Sequence, residues 1–330
     1  MAESLPVYKT FISNAANLAW EENGQNQHIH IAYYFFDNKP LSAIRAYDQM
    51  IGNHCSAIIG YEYLSDLLLV SKINNKSEIP IFTSYASSLS HESISNNIFM
   101  FMPYYDTTSN IMIKFLKKRF GKLDKILIIT EIDRPDLARY KISYEKILRE
   151  NNSTFDSFDY LQNDATFEKN LISFSKNKAY RFVFVLTGAV GATKALNIMN
   201  NHKTIFVGTE NFGSSSNQSV FPRLHDKLIR AFTIRNIDFL AKTPAMQALE
   251  QRYQNRFGVN AGPLSIYTYD AMNIIIRSFK KFGGVDSNSV LRLNINGITG
   301  ARIHNGRFYR SNQTALLSMG KNGFELCDKK

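Results

Sequence analysis

The stretch RFVFVLTGAVGATKALNIMNNHKTIFVG, residues 181–208, has the pattern of one strand–helix–strand unit. Two short, largely apolar segments, at 181–186 and 204–208, have the length and the β-branched and aromatic content of buried strands. Between them, residues 192–200 carry apolar side chains at helical spacing. Strands joined by a helix of this length pair in parallel, so the stretch predicts a parallel sheet that is covered by helices.

The same alternation extends in both directions along the chain. It predicts strands at 28–36, 56–60, 79–84, 125–130 and 155–158, with helices at 10–22, 40–51, 65–72, 107–120, 135–149 and 165–176. Two sets of such units meet near Tyr104-Tyr105-Asp106, so we expect two doubly wound α/β domains. The length of 330 residues favours the same division. Further on, helices at 244–256 and 267–282 precede a strand pair that turns at Asn305-Gly306.

Composition limits the class of protein. Hydrophobic residues make up 44% of the chain, and no window reaches the roughly 18 unbroken apolar residues of a membrane-spanning helix. The residues after Met1 lack the basic and apolar regions of a secretory signal, so either the protein is cytoplasmic or a signal was removed before this chain was defined. The net charge of +11 is scattered over short basic runs without a nucleic-acid-binding signature, so we expect no nucleic-acid partner.

Motifs for catalysis and metal binding are missing from the sequence. The segment 188–194 (GAVGATK) follows a strand and opens a helix, but two residues separate its glycines where a Walker loop has four. What remains is a tight turn whose backbone N–H groups point into the crevice at the strand ends. His28-x-His30 fits a surface strand better than a metal site. We expect no cofactor, no metal and no enzymatic reaction, and the sequence leaves open whether Cys55 and Cys327 form a disulfide.

Polar residues at the predicted strand ends are better candidates for function, because ligands of open α/β sheets bind outside the carboxyl ends of the strands. Glu210 closely follows the apolar run that ends at Gly208, and its carboxylate can meet a cationic group on a small molecule; a polar turn is the alternative interpretation. Residues 60–65 and 83–88 supply hydroxyls and backbone N–H groups that can hold a carboxylate. For these, an ordinary serine-rich loop is the alternative.

Five segments, in this order, resemble the type I periplasmic binding proteins of the branched-chain amino-acid (leucine/isoleucine/valine-binding) family, which are substrate-binding proteins of ABC transporters. They are Ala57–Gly60 with Ser65, residues 79–88, residues 99–106, residues 267–272, and Gly297–Gly300 with Asn305-Gly306. The resemblance covers nearly the whole chain. It implies a type I periplasmic-binding-protein fold, α/β, with two doubly wound parallel-sheet lobes joined by three crossover segments.

The resemblance also implies the boundaries of the two lobes and the place of the ligand. Lobe 1 would comprise residues 1–106 plus 236–312, and lobe 2 residues 107–235 plus 313–330, with a ligand cleft between them. From the same resemblance we expect the family's first strand of lobe 1 to be missing from this chain.

Roles for particular residues follow from the same resemblance. Ser65, with Ala86 and Ser87 (or Ser88), would bind the α-carboxylate of an amino-acid-like ligand from lobe 1. Glu210 would bind the α-ammonium from lobe 2, as a charge-assisted pair.

Three more residues complete the expected ligand-binding set. Tyr105 lies in the first crossover segment. Gly188 and Arg134 stand where the family often has aromatic residues, and Arg134 could favour an acidic side chain or another anion on the ligand. These departures from the family pattern leave the size and polarity of the ligand open.

Together these features lead us to expect an extracytoplasmic solute-binding protein that captures a small amino-acid-like ligand by closure of its lobes and delivers it to a membrane ABC permease. We expect a monomer with no direct membrane insertion. A ligand-sensing regulator, cytoplasmic in that case, or a receptor ectodomain on the same fold is the alternative. An enzyme on a doubly wound fold is a third class, because a fold does not determine a function.

Overall fold

The computed structural model describes residues 5–25, 28–36, 39–74, 78–92, 94–199, 203–209, 212, 230–236, 242–311, 313–320 and 323–327. The chain divides into two units. Unit 1 comprises Met1–Ser87, His91–Pro103 and Ala241–Gln313, and unit 2 comprises Ser88–Ser90, Tyr104–Leu240 and Thr314–Lys330. Each unit therefore combines segments that are far apart in the sequence.

Helices and strands alternate along most of the chain, which confirms the predicted α/β class. In chain order they are α1 (Leu5–Asn23), α2 (Pro40–Gly52), β1 (Ile58–Ile59), α3 (Leu64–Asn74), β2 (Ile81–Thr83), β3 (Ile98–Met100), α4 (Tyr105–Phe120), β4 (Ile126–Glu131), α5 (Pro135–Glu150), β5 (Phe155–Tyr160), α6 (Phe167–Ser175), β6 (Phe182–Leu186), α7 (Ala189–Met199), β7 (Ile205–Gly208), β8 (Arg230–Arg235), α8 (Pro244–Phe257), α9 (Pro263–Phe282), α10 (Ser287–Leu291), β9 (Ile295–Asn296), β10 (Arg302–His304), β11 (Arg307–Tyr309), β12 (Ala315–Gly320) and β13 (Gly323–Leu326). Among the helices that the structure describes, none combines the length and apolar character needed to cross a bilayer.

The core of unit 1 is built on the parallel sheet β1-β2-β3. Ile58 pairs with Ile81, and Phe82 pairs with Phe99, so the apolar residues of the three strands lie in register. Helices α2 and α3 contribute buried apolar side chains to the same cluster as Ile58 and Ile81. Burial of such a side chain stabilises a fold by about 1.5–3 kcal/mol, so this cluster holds the strand ends in place.

Residues 28–36, predicted to be a strand, belong to no strand of the structure. The alternation is nevertheless present as a burial pattern. Tyr34 and Phe36 pack against the core cluster of unit 1, whereas Tyr33 and Phe35 are exposed and stack at 6.4 Å between ring centroids. The prediction was wrong because a period of two reports which side chains face the core, and does not report whether a neighbouring strand completes the ladder.

A buried carboxylate ties the long helix α9 to the loop that precedes β10. Asp270 accepts hydrogen bonds from Ile298 N at 3.0 Å, from Thr299 N at 2.8 Å and from Thr299 Oγ1 at 2.6 Å. Burial raises the pKa of Asp270, and the bonds from Thr299 oppose that rise. A Cβ on Gly297 would lie 2.4 Å from Asp270 Oδ2, so the close approach requires glycine. The family-like motifs at 267–272 and 297–300 therefore form one structural contact.

The predicted strand pair near the end of unit 1 is confirmed. β10 and β11 are antiparallel, with His304 opposite Arg307. Asn305 and Gly306 between them both have positive φ, at 49° and 71°. This is the left-handed backbone that a two-residue hairpin turn requires.

Unit 2 is built on a seven-stranded sheet in the order β13-β12-β8-β7-β6-β4-β5. The five strands β4, β5, β6, β7 and β8 are parallel. β12 pairs antiparallel with β8, and β13 pairs antiparallel with β12. Every residue of β6 is buried. Val183 and Val185 join a cluster with α6 and α7, while the rings of Phe182 and Phe184 contact Phe120 and Tyr144 from α4 and α5. A strand covered on both faces has an unbroken apolar sequence, as residues 182–186 do.

The strand order of unit 2 creates a switch point between β4 and β6. The chain leaves β4 through α5 to reach β5, then returns through α6 to β6 on the other side of β4. Because these connections run on opposite faces, a crevice opens between the carboxyl ends of β4 and β6, which is where α/β sheets bind ligands. Glu131 ends β4, and Thr187 and Gly188 directly follow β6.

Candidate functional site

The loop after β2 carries two of the predicted carboxylate ligands of unit 1, Ala86 and Ser87, and both are buried. Ser87 Oγ donates to the Pro103 carbonyl at 2.5 Å and accepts from Arg310 Nη1 at 3.2 Å. The Ala86 N–H donates to Thr83 Oγ1 at 3.4 Å. The hydroxyl proton of Ser87 is therefore engaged within unit 1, and Arg310 brings a positive charge to the loop.

A carboxylate that sequence reasoning missed, Glu62, lies at the same strand ends. Its Oε2 accepts from Tyr85 N at 2.5 Å and from Thr83 Oγ1 at 3.4 Å. Its Oε1 is shielded from solvent and has no hydrogen-bond partner among the described residues. Burial raises the pKa of Glu62 to about 7, against the effect of backbone bonds from Tyr85 and Ser84. The sequence predicted that backbone N–H groups of residues 83–88 would donate to a ligand. One of them, the N–H of Tyr85, donates instead to the carboxylate of Glu62.

Ser65, the third predicted carboxylate ligand of unit 1, is the second residue of α3 and is exposed. Its hydroxyl lies against Asp66, and burial raises the pKa of that carboxyl while the bond from Ser65 lowers it. Ser65 therefore remains accessible to solvent, in contrast to Ala86 and Ser87.

Unit 2 has its own buried carboxylate, Glu131, at the switch point. Its side chain is 2% exposed, and Oε2 accepts from Gly188 N at 2.8 Å and from Tyr160 Oη at 3.3 Å. Its Oε1 has no hydrogen-bond partner in the part of the chain that the structure describes. Gly188 directly precedes α7, so the carboxylate also lies at the positive end of that helix. The N–H of Gly188, expected to face the crevice, therefore binds an internal anion.

Close contacts explain both glycines of the turn at 188–194. A Cβ on Gly188 would lie 3.3 Å from Glu131 Oε2 and 3.4 Å from Arg134 Nη1, and a Cβ on Gly191 would lie 1.9 Å from Tyr160 Oη. Burial and the negative charge of Glu131 raise the pKa of Tyr160, so its hydroxyl stays protonated and can donate. The two glycines therefore allow the close approach of Glu131 and Tyr160, and they do not form a phosphate-binding loop.

Arg134 precedes Pro135 at the start of α5 and lies beside the same turn. Its Nη2 forms an ion pair with Asp136 Oδ2 at 2.9 Å, and the two side chains are 30% and 29% exposed. The positive charge of Arg134 is thus shared with Asp136, on the rim of the crevice.

Tyr105 and Ser88 both belong to unit 2 and meet through the backbone. The N–H of Tyr105 donates to the Ser88 carbonyl at 3.0 Å. Both residues are buried, and the Tyr105 ring packs edge-on against Tyr140 at 4.6 Å between centroids. Ser88 is therefore held by the start of α4, and it belongs to a different unit from Ala86 and Ser87.

Glu210, the predicted ammonium ligand, lies outside the described residues, but the strand end before it is defined. Thr209 is buried, its carbonyl accepts from Thr233 Oγ1 and from Phe212 N, and its Oγ1 has no partner among the residues described. A Cβ on Gly208 would lie 2.0 Å from the Phe212 ring. Gly208 is therefore required for close packing at this strand end.

Metal and disulfide chemistry have no counterpart in the described part of the chain. There, no three His, Cys, Asp or Glu side chains gather as a metal site requires. No disulfide joins Cys55 and Cys327, and the two residues belong to different units.

Comparison with known proteins identifies the family. The family model described as periplasmic binding protein matches residues 12–322. The chain belongs to the periplasmic binding protein family. A search of the curated proteins finds no match.

Solved structures of this family share the fold over nearly the whole chain. The leucine-binding protein LivK of Thermotoga maritima is 13% identical, with a TM-score of 0.79 over 97% of this chain and 93% of that one. The branched-chain amino-acid transporter substrate-binding protein LivJ of Streptococcus pneumoniae, solved with isoleucine, is 14% identical, with a TM-score of 0.75 over 98% and 94%. A solute-binding protein of R. palustris, solved with benzoate, is 12% identical, with a TM-score of 0.70 over 96% and 90%. The type I periplasmic-binding-protein fold expected from the sequence is confirmed.

Proposed function

We propose that the protein is an extracytoplasmic solute-binding protein that captures a small amino-acid-like ligand between its two units and delivers it to a membrane ABC permease. The observation that carries the proposal is the family match, which spans 12–322 and so includes both units. In this account the protein is a monomer that catalyses no reaction. A ligand sensor on the same fold stays the alternative, since sensing and transport need the same binding step.

Charge at the strand ends favours an amino acid over an aromatic acid, although the R. palustris relative was solved with benzoate. Glu131 and Glu62 are carboxylates at the strand ends of units 2 and 1, and Glu210 adds a third acidic residue after β7. Because burial raises the pKa of Glu62 to about 7, the charges that count most are those of Glu131 and Glu210. These two would repel a ligand that carries only a carboxylate and attract an ammonium group.

The expected ligand set stays part of this proposal. Ser65 with the loop Ala86-Ser87, beside Arg310, would receive the α-carboxylate, and Glu210 would receive the α-ammonium. Ser88, Tyr105, Gly188 and Arg134 would shape the remaining wall. Because Tyr85 N donates to Glu62 and the Ser87 hydroxyl donates to the Pro103 carbonyl, the ligand's carboxylate would depend mainly on the charge of Arg310.

A thermal-shift screen tests the proposal. A ligand at 100 times its dissociation constant stabilises a protein by about 2.7 kcal/mol, which raises the melting temperature by several degrees. We expect amino acids to give such a shift and benzoate and 4-hydroxybenzoate to give none. Glu210→Ala is expected to abolish the response, and Glu150→Ala, an exposed site on α5, to keep it. If no amino acid stabilises the parent protein, the ligand class is wrong; if Glu210→Ala responds as the parent does, the role of Glu210 is wrong.

A further inference from the structure

The carboxylate of Glu131 is only half satisfied. Gly188 N and Tyr160 Oη bind its Oε2, while its Oε1 has no hydrogen-bond partner and its side chain forms no ion pair among the described residues. The side chain is 2% exposed. A buried carboxylate oxygen without a partner is costly, and native structures keep such groups mainly where an ion, a water or a ligand completes them.

The position of Glu131 points to a ligand. It ends β4 on one side of the switch point, and Gly188 follows β6 on the other side. The crevice at a switch point is the general ligand site of open α/β sheets. The tight fit of Gly188 and Gly191 against Glu131 and Tyr160 holds the carboxylate in one orientation there.

The surroundings of Glu131 favour a cationic group on an aliphatic stem. A Cβ added to Gly188 would lie 3.4 Å from Arg134 Nη1 and 3.3 Å from Glu131 Oε2, so the guanidinium and the carboxylate face the same space. Asp136 forms an ion pair with the same guanidinium. The space beside Glu131 therefore already holds one cationic group, the guanidinium of Arg134. The apolar residues that directly follow β4 and β5, Ile132 and Leu161, are 43% and 55% exposed and can contact methylene groups.

We propose that Glu131 binds a second cationic group of the ligand, so that the solute is a basic amino acid with an ammonium or guanidinium side chain. This inference rests on the proposed function, in which Glu210 takes the α-ammonium. In this account Glu131, at the end of β4, binds the side-chain cation, and Glu210, after β7, binds the α-ammonium. Arg134 then modulates the negative charge around Glu131, and it does not select a ligand with an acidic side chain.

Matched ligands test the inference without altering the protein. L-lysine and L-norleucine differ at the side-chain end, where norleucine lacks the ammonium. We expect isothermal titration calorimetry on the parent protein to give at least about tenfold tighter binding of L-lysine, the effect of one charge-assisted hydrogen bond. L-norleucine binding as tightly as L-lysine would overturn the inference and leave the proposed function intact.

Variants test the residue. Glu131→Gln keeps an acceptor for Gly188 N and removes the charge, so it should weaken L-lysine at least about tenfold and leave L-norleucine unchanged. Glu168→Gln, at an exposed pair with Lys194 in the same unit, should change neither. Unchanged L-lysine binding in Glu131→Gln contradicts the role of Glu131.

A probe without an α-carboxylate separates the two proposals. If 1,5-diaminopentane binds the parent protein, weakens in Glu131→Gln, and no amino acid binds, the amino-acid proposal fails while the cation site at Glu131 stands. If neither L-lysine nor 1,5-diaminopentane binds, the inference is overturned.

Discussion

Gly208→Ala is expected to destabilise unit 2 by about 2–3 kcal/mol, the upper part of the range for overpacked cores, and to abolish ligand binding. The added Cβ would lie 2.0 Å from Cγ of Phe212, whose side chain is 1% exposed and packs 6.1 Å from the Phe324 ring. Either the ring leaves the core or the end of β7 moves. Both displace Thr209 and the chain that leads to Glu210.

A glycine in open space is the matched control for this prediction. Gly284 has no heavy atom within 4 Å of an added Cβ and no positive φ, so Gly284→Ala should leave stability and binding unchanged. The measurements are the melting temperature and the thermal shift with the best amino acid from the screen. Equal behaviour of the two variants would show that Phe212 does not hold the end of β7.

Glu62→Gln is expected to stabilise unit 1 by about 1–3 kcal/mol at pH 8, and the gain should disappear towards pH 5. Burial raises the pKa of Glu62 from 4.5 to about 7, so the folded protein holds this proton more tightly than the unfolded chain. That contribution is complete below pH 4.5 and is lost as the pH rises through 7. Glutamine keeps an acceptor for Tyr85 N and avoids a buried charge above pH 7.

The sole tryptophan, Trp20, lies in α1 of unit 1, so its fluorescence during urea unfolding reports on this unit. Unfolding is measured at pH 5, 6.5 and 8 for the parent and for Glu62→Gln. Glu78→Gln, exposed in the same unit, is the control and should follow the parent at each pH. A constant difference between Glu62→Gln and the parent across this range would mean that Glu62 does not titrate there.

The strand–helix–strand pattern at 181–208 predicted β6 and β7 closely, because both strands are buried and their apolar runs are continuous. The intervening helix begins at Ala189, three residues before its predicted start at 192. Gly188 and Gly191 suggested a turn, whereas their contacts with Glu131, Arg134 and Tyr160 explain them. Such contacts join residues far apart in sequence, which local spacing does not report.

The two internal carboxylates show where sequence reasoning stops. Glu131 directly follows a largely apolar segment, and Glu210 stands two residues after one. This position is the only sequence feature that could have marked Glu131 as a site residue. Neither Glu62 nor Glu131 could be assigned to a particular backbone N–H, because the strand order of the folded sheet brings Tyr85 and Gly188 to them. The backbone N–H groups lie at the strand ends as predicted, but two of them, those of Tyr85 and Gly188, donate to the protein's own carboxylates.

Recognition of both ends of an α-amino acid is the central claim, and calorimetric titration with derivatives of one ligand tests it most directly. The amino acid with the largest thermal shift is compared with its Nα-acetyl derivative, which lacks the α-ammonium charge, and with its α-amide, which lacks the carboxylate. We predict that acetylation weakens binding at least about 100-fold and amidation at least about tenfold. An Nα-acetyl derivative that binds as tightly as the free amino acid would contradict the account.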